Sequence, residues 1–95
     1  MNPQSISIID YGGLFGAHIT QGALYAKTGA FLKIKYCASA CLLMLAQVPQ
    51  DHVCVYRDAW FGYHTAAQDA NGYESPTTMR WERGRDWIAR GYAQC

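Results

Sequence analysis

Residues 5–10, SISIID, alternate apolar and polar side chains and are rich in β-branched residues, which predicts a strand. The glycine-rich YGGLFG follows as a turn. From Ala17 to about Thr28 the composition suits a helix, with Ile19, Ala23 and Leu24 on one face and Gly29 where a C-cap falls. FLKIKY alternates again as a second strand. A short apolar helix then runs from about Ala40 to Gln47 and stops before the turn VPQD. HVCVYR and AWFGYH read as two more strands, divided by a tight turn near Arg57 and Asp58. TAAQDANGYESP is a polar loop, and Ser75 with Pro76 supplies the N-cap and first position of a last helix over about 76–90. This order of elements predicts an α/β domain of βαβ units, a mostly parallel sheet with flanking helices.

Ninety-five residues make one domain, 1–95, near the lower end of what builds its own core. At 51% hydrophobic and 16% charged, the chain is apolar enough to leave uncovered surface when alone, which favours a partner or self-association. The net charge of +1 gives no reason to invoke nucleic acid or an anionic membrane. No window reaches the roughly 18 apolar residues of a membrane span. MNPQSISIID lacks the basic and apolar regions of a secretory signal, which reads as cytoplasmic. Four cysteines point the other way, to disulfides or metal.

The candidate chemistry centres on KYCASACLLMLAQ, where Ser39 stands between a strand end and an apolar helix start. A sharp turn there pushes a hydroxyl out of the sheet, and the first free amides of the helix face its substrate. Ala38 and Ala40 let a substrate backbone approach. The same position suits a plain N-cap serine, so both readings stand. A serine nucleophile needs a base, and His64 at the end of AWFGYH is the candidate, with Gly62 keeping the approach open. Ala40 N–H supplies one oxyanion donor and the Gly12–Gly13 turn the other, since glycine permits backbone angles that aim an N–H into a cleft. Neither a G-x-G-x-x-G pattern nor a Walker lysine accompanies these glycines, so a phosphate loop is disfavoured. His18 and His52 read as surface residues.

YGGLFGAHITQGALYA, CASACLLMLA and AWFGYH, in this order, resemble the Gly-Gly oxyanion loop, the Ser-Ala nucleophile segment and the Gly-x-His base strand of the Clp-type serine proteases of the Clp/crotonase superfamily. The 25-residue interval from Ser39 to His64 is similar to that family's, and CASAC resembles a small, often exported bacterial branch. The resemblance spans residues 5–64. It implies a minimal or truncated Clp/crotonase-like ββα-type core acting on peptide bonds by acyl transfer, with no cofactor. Ser39 would be the nucleophile, His64 the base, and Gly12 and Ala40 the oxyanion amides beside Gly13. It further implies a peptide or protein substrate, a homo-oligomer and a periplasmic alternative for the compartment. The family's acidic third member has no matching motif; Asp69, Glu74 and Asp86 are the substitutes, and the family's first strand-helix unit has no counterpart before Ser5. A silent relative that binds a peptide or a sister subunit in the same groove is the alternative.

Cys37, Cys41, Cys54 and His64 can be written as a zinc set, but Cys41 opens a helix and Cys54 lies in a strand, so no metal is expected. A disulfide from Cys41 or Cys37 to Cys54, with Cys41–Cys54 foremost, would staple the nucleophile helix to the next strand in an oxidising compartment. Otherwise Cys41 and Cys54 are buried thiols. Cys95 reads as free. Trp60, Phe61 and Tyr63 pack in or beside the sheet, while Trp81 and Trp87 fall on different faces of the last helix, one of them toward a partner subunit.

Overall fold

The computed structural model describes residues 4–65 and 78–95. It is a small α/β domain with a mostly parallel five-stranded sheet and three α-helices. The elements are β1 (Ser5–Asp10), α1 (Phe15–Thr28), β2 (Phe31–Ala38), α2 (Ala40–Leu45), β3 (Val53–Thr65), β4 (Thr78–Arg83), α3 (Gly84–Ala89) and β5 (Ala93–Gln94), with a 3₁₀ turn at Gln50–His52. The sheet order is β1-β2-β3-β4, parallel except for β4, and β5 runs parallel to the first residues of β3. No helix among the described residues is long and apolar enough to cross a membrane.

Alternation builds the core. Leu32 and Ile34 of β2 and Val53 and Val55 of β3 are buried with Phe61, beneath Cys41, Met44 and Leu45 of α2. The register then slips: Ile34 pairs with Val55 but Tyr36 pairs with Trp60, so Lys35 faces the looped-out residues 56–59. The slip reverses which parity points inward, sending Cys37 to the core and Tyr36 to the opposite face. HVCVYR and AWFGYH are therefore one strand carrying a wide bulge, not two strands separated by a turn. Arg83 secures the bulge, donating to Asp58 O at 2.9 Å with its guanidinium 3.9 Å from the Trp60 ring centroid.

α1 begins two residues before the predicted Ala17 and ends as predicted, with Gly29 left-handed at φ 71° and its N–H on Ala26 O. Gly22 brings α1 against the Met44 carbonyl of α2, where no side chain would fit. Few apolar side chains of α1 follow it inward: Leu14, ahead of the helix, and Phe15, Ile19 and Leu24 within it are exposed.

The predicted helix over 76–90 is corrected. Residues 78–83 form β4, antiparallel to the second half of β3, and helix is confined to Gly84–Ala89. TMRWER alternates with period two, which a strand beside Trp60–Thr65 satisfies. Gly84 marks the change, because a Cβ there would run into the Tyr56 carbonyl. Trp81 thus belongs to a strand, while Trp87 of α3 stacks on Phe61 with centroids 4.0 Å apart. The polar loop 65–76 lies, beyond Thr65, outside the described residues, as do Asp69, Glu74 and the Ser75–Pro76 pair.

The cysteine pairing is corrected too. Cys37 bonds Cys41, and Cys54 bonds Cys95, in place of a Cys41–Cys54 staple and a free Cys95. Cys37 and Cys41 are 0% exposed and Cys54 is 6% exposed, whereas Cys95 lies at the surface. The return of β5 beside Cys54 brings Cys95 within reach. With every described thiol bridged, the set Cys37, Cys41, Cys54 and His64 offers no thiolate to a metal.

Candidate functional site

Ser39 joins β2 to α2 with φ 56° and ψ −119°, and among the described residues it is the one non-glycine with positive φ. An L residue with a Cβ adopts this conformation only when its surroundings impose it, at about 1–3 kcal/mol. Here Ser39 N–H donates to Gly62 O at 2.8 Å, Ser39 O accepts Leu42 N–H at 3.0 Å, and the Cys37–Cys41 bridge closes a ring around the turn. Although Ser39 occupies the N-cap position, its hydroxyl makes no capping hydrogen bond. The capping reading therefore accounts for its place in the chain but not for its side chain.

The Gly12–Gly13 turn reaches this serine. Both residues have positive φ, 98° and 144°. A Cβ on Gly12 would lie 2.8 Å from Ser39 Cβ and 3.0 Å from Ala38 O, so only glycine permits this approach. Gly12 N–H is engaged, donating to Asp10 Oδ1 at 2.8 Å. The N–H groups of Gly13 and Ala40 have no hydrogen-bond acceptor among the described residues, and Ala40 opens the helix, where amides lack intrahelical partners.

His64 stands two residues beyond Gly62 on β3, exposed and paired with Met79 of β4. No hydrogen bond to Ser39 Oγ is formed by the described residues. Gly62 does not keep an open approach as the sequence suggested: a Cβ there would meet the Trp81 ring and, at 2.8 Å, Met79 Cε. Asp86 is committed elsewhere, accepting Arg83 N–H at 3.0 Å at the start of α3. It lies in α3, just past the end of β4 opposite Met79, the partner of His64.

Two features escaped the sequence reading. Tyr11, Tyr36, Trp81 and Trp60 form a chain of aromatic rings with successive centroids 4.8, 5.7 and 6.2 Å apart. Tyr36, Trp60 and Trp81 line a cavity of about 270 Å³. The register shared by Tyr36 with Trp60, and by Gly62 with Trp81, places these residues on one face; the strand assignment of TMRWER was the signal needed. His18, read as a surface residue, pairs with Asp10 at 3.0 Å beside the glycine turn. A turn as short as YGGL brings the first turn of a helix back over the strand end, and that spacing could have revealed the pair.

Comparison with models of known protein families, with curated proteins and with solved structures found no match.

Proposed function

We propose that this chain is a serine peptidase-like hydrolase with a Clp/crotonase-like core, cleaving peptide bonds through Ser39 and His64. The supporting observation is the Ser39 backbone: a non-glycine residue is held at φ 56° with its hydroxyl uncapped, at a strand-to-helix turn. Strain of this kind at a serine is the signature of a nucleophile elbow. In the proposed reaction Ser39 Oγ attacks the peptide carbonyl carbon and His64 takes the hydroxyl proton. Gly13 N–H and Ala40 N–H hold the resulting oxyanion. Collapse breaks the C–N bond, His64 returns the proton to the leaving amine, and water then releases the acyl group from Ser39. Gly12 serves this site by letting the loop touch Ser39.

A silent peptide-binding or assembly role is the second reading. It is favoured by the lack of a Ser39–His64 hydrogen bond among the described residues, although such bonds often tighten only with substrate present. Labelling by a fluorophosphonate probe separates the two. Wild type is expected to label, Ser39→Ala not at all, and His64→Ala about 10²–10⁴-fold more slowly. A folded wild type that takes up no probe sinks the peptidase reading in favour of the silent one.

A further inference from the structure

Asp10 and His18 bracket the Gly12–Gly13 turn from its two ends. Asp10 closes β1, and one of its carboxylate oxygens accepts Gly12 N–H. His18 lies in the first turns of α1, its Nε2 3.1 and 3.0 Å from the two carboxylate oxygens and its Nδ1 2.7 Å from Leu14 O. Both ring nitrogens therefore face groups that only accept. A neutral imidazole has one N–H, so it can satisfy the Leu14 carbonyl or the Asp10 carboxylate but not both. The imidazolium satisfies both at once, so it ties the end of β1 to the start of α1 across the two glycines more firmly than either neutral tautomer.

We infer that His18 and Asp10 are a positioning pair that sets the Gly12–Gly13 turn against Ser39, and that the turn is held there most firmly while His18 carries its proton. The surroundings support this. The two side chains are 15% and 26% exposed, enough to weaken water's competition for the pair. They line a cavity of about 320 Å³ between β1 and α1. In it β1 contributes Ser7 and Asp10, α1 contributes Gln21 and Tyr25, and α2 contributes Met44; Asp10 is the one carboxylate among these lining residues. The Leu14 carbonyl foremost raises the His18 pKa above its ordinary 6.5; burial, the next largest influence, opposes it, and the Asp10 hydrogen bond and charge add to the rise. A raised folded-state value means that the pair's stabilisation is fully present below pH 6.5 and is lost as pH rises through the folded-state value. The turn is thus firm in mildly acidic solution and loosens above it.

As a role in catalysis the pair rests on the hydrolase reading; as a property of the turn it does not. The test follows the His18 ring and the Gly12 and Gly13 amides by NMR through a pH titration, alongside the fluorophosphonate labelling rate. In wild type both glycine amides are expected to shift with the midpoint of the His18 ring, and the labelling rate relative to that of His18→Gln to decline through that same midpoint. Asp10→Asn, which keeps an acceptor for Gly12 N–H but removes the charge, moves the midpoint down. His18→Gln removes the His18 midpoint from amides and labelling alike. Amides that stay still while the ring titrates, or that shift unchanged in His18→Gln, overturn the pair. A labelling rate indifferent to the His18 midpoint overturns its catalytic role. A wild type that takes up no probe while its amides follow the ring sinks the peptidase reading and leaves the positioning pair standing.

Discussion

Replacing Cys54 and Cys95 together with serine is expected to lower the unfolding free energy by about 4 kcal/mol. The bridge joins residues 41 apart in sequence. A cross-link over that span removes many open conformations from the unfolded chain, and the loss grows with the logarithm of the loop length. Besides the bridge, the end of the chain is held by Tyr92 against Trp87, by Cys95 N–H on Val55 O and by β5. β5 is two residues long, pairing Ala93 with Cys54 and Gln94 with Val55, and both of its residues are exposed. A domain of this size has about 5–15 kcal/mol in total, so the double variant stands near the edge of folding. Urea denaturation of wild type and variant measures the difference. The Cys37–Cys41 bridge, only four residues apart, provides the comparison: its removal costs about 2 kcal/mol by the same relation. Equal losses from the two pairs would mean that native contacts, rather than loop length, set the contribution.

Ser39→Gly is expected to abolish fluorophosphonate labelling while raising stability by about 1 kcal/mol. The two effects have separate origins. The hydroxyl is the proposed nucleophile, and no other side chain replaces it. The backbone at φ 56° and ψ −119° is strained for serine and open to glycine. Relief of about 1–3 kcal/mol of strain exceeds the roughly 0.5–1 kcal/mol that glycine loses through its freer unfolded chain. Ser39→Ala keeps the strain and loses only the hydroxyl, so it should be inert toward the probe with little gain in stability. A serine retained for capping would behave oppositely, since losing a cap destabilises by about 1 kcal/mol on replacement by alanine and by roughly a few tenths on replacement by glycine. Thermal unfolding of the two variants beside wild type, read with the probe, distinguishes these cases. A Ser39→Gly variant less stable than wild type refutes the strain argument.

The elements that repeat a simple period were legible. SISIID and FLKIKY alternate and are strands, and Gly29 sits at the left-handed C-cap where it was placed. The serine at a strand-to-helix junction and the glycine turn beside it were legible for the same reason, since both are local. What depended on distant partners was not. TMRWER carries period two over only six residues, next to an Arg- and Asp-containing stretch that suits a helix, and only pairing with β3 decides between them. The bulge over 56–59 is set by Arg83, more than twenty residues away, whose side chain holds the Asp58 carbonyl. Cysteine pairing followed the return of β5 to β3, and no spacing in the sequence announces that. His18 looked like surface because its partner is defined by how the chain folds back over Asp10.

The unequal depth of the two bridges orders their response to a reductant. Thiol–disulfide exchange needs an incoming thiolate to reach a sulfur along the bond axis. Cys95 stands at the surface and admits one, whereas Cys37 and Cys41 are both fully enclosed. A mild reductant therefore frees the tail first, giving a half-reduced species in which the ring around Ser39 is intact. The inner bridge yields only as fast as the core opens, so the survival of that ring is a clock for native-state opening at the serine itself.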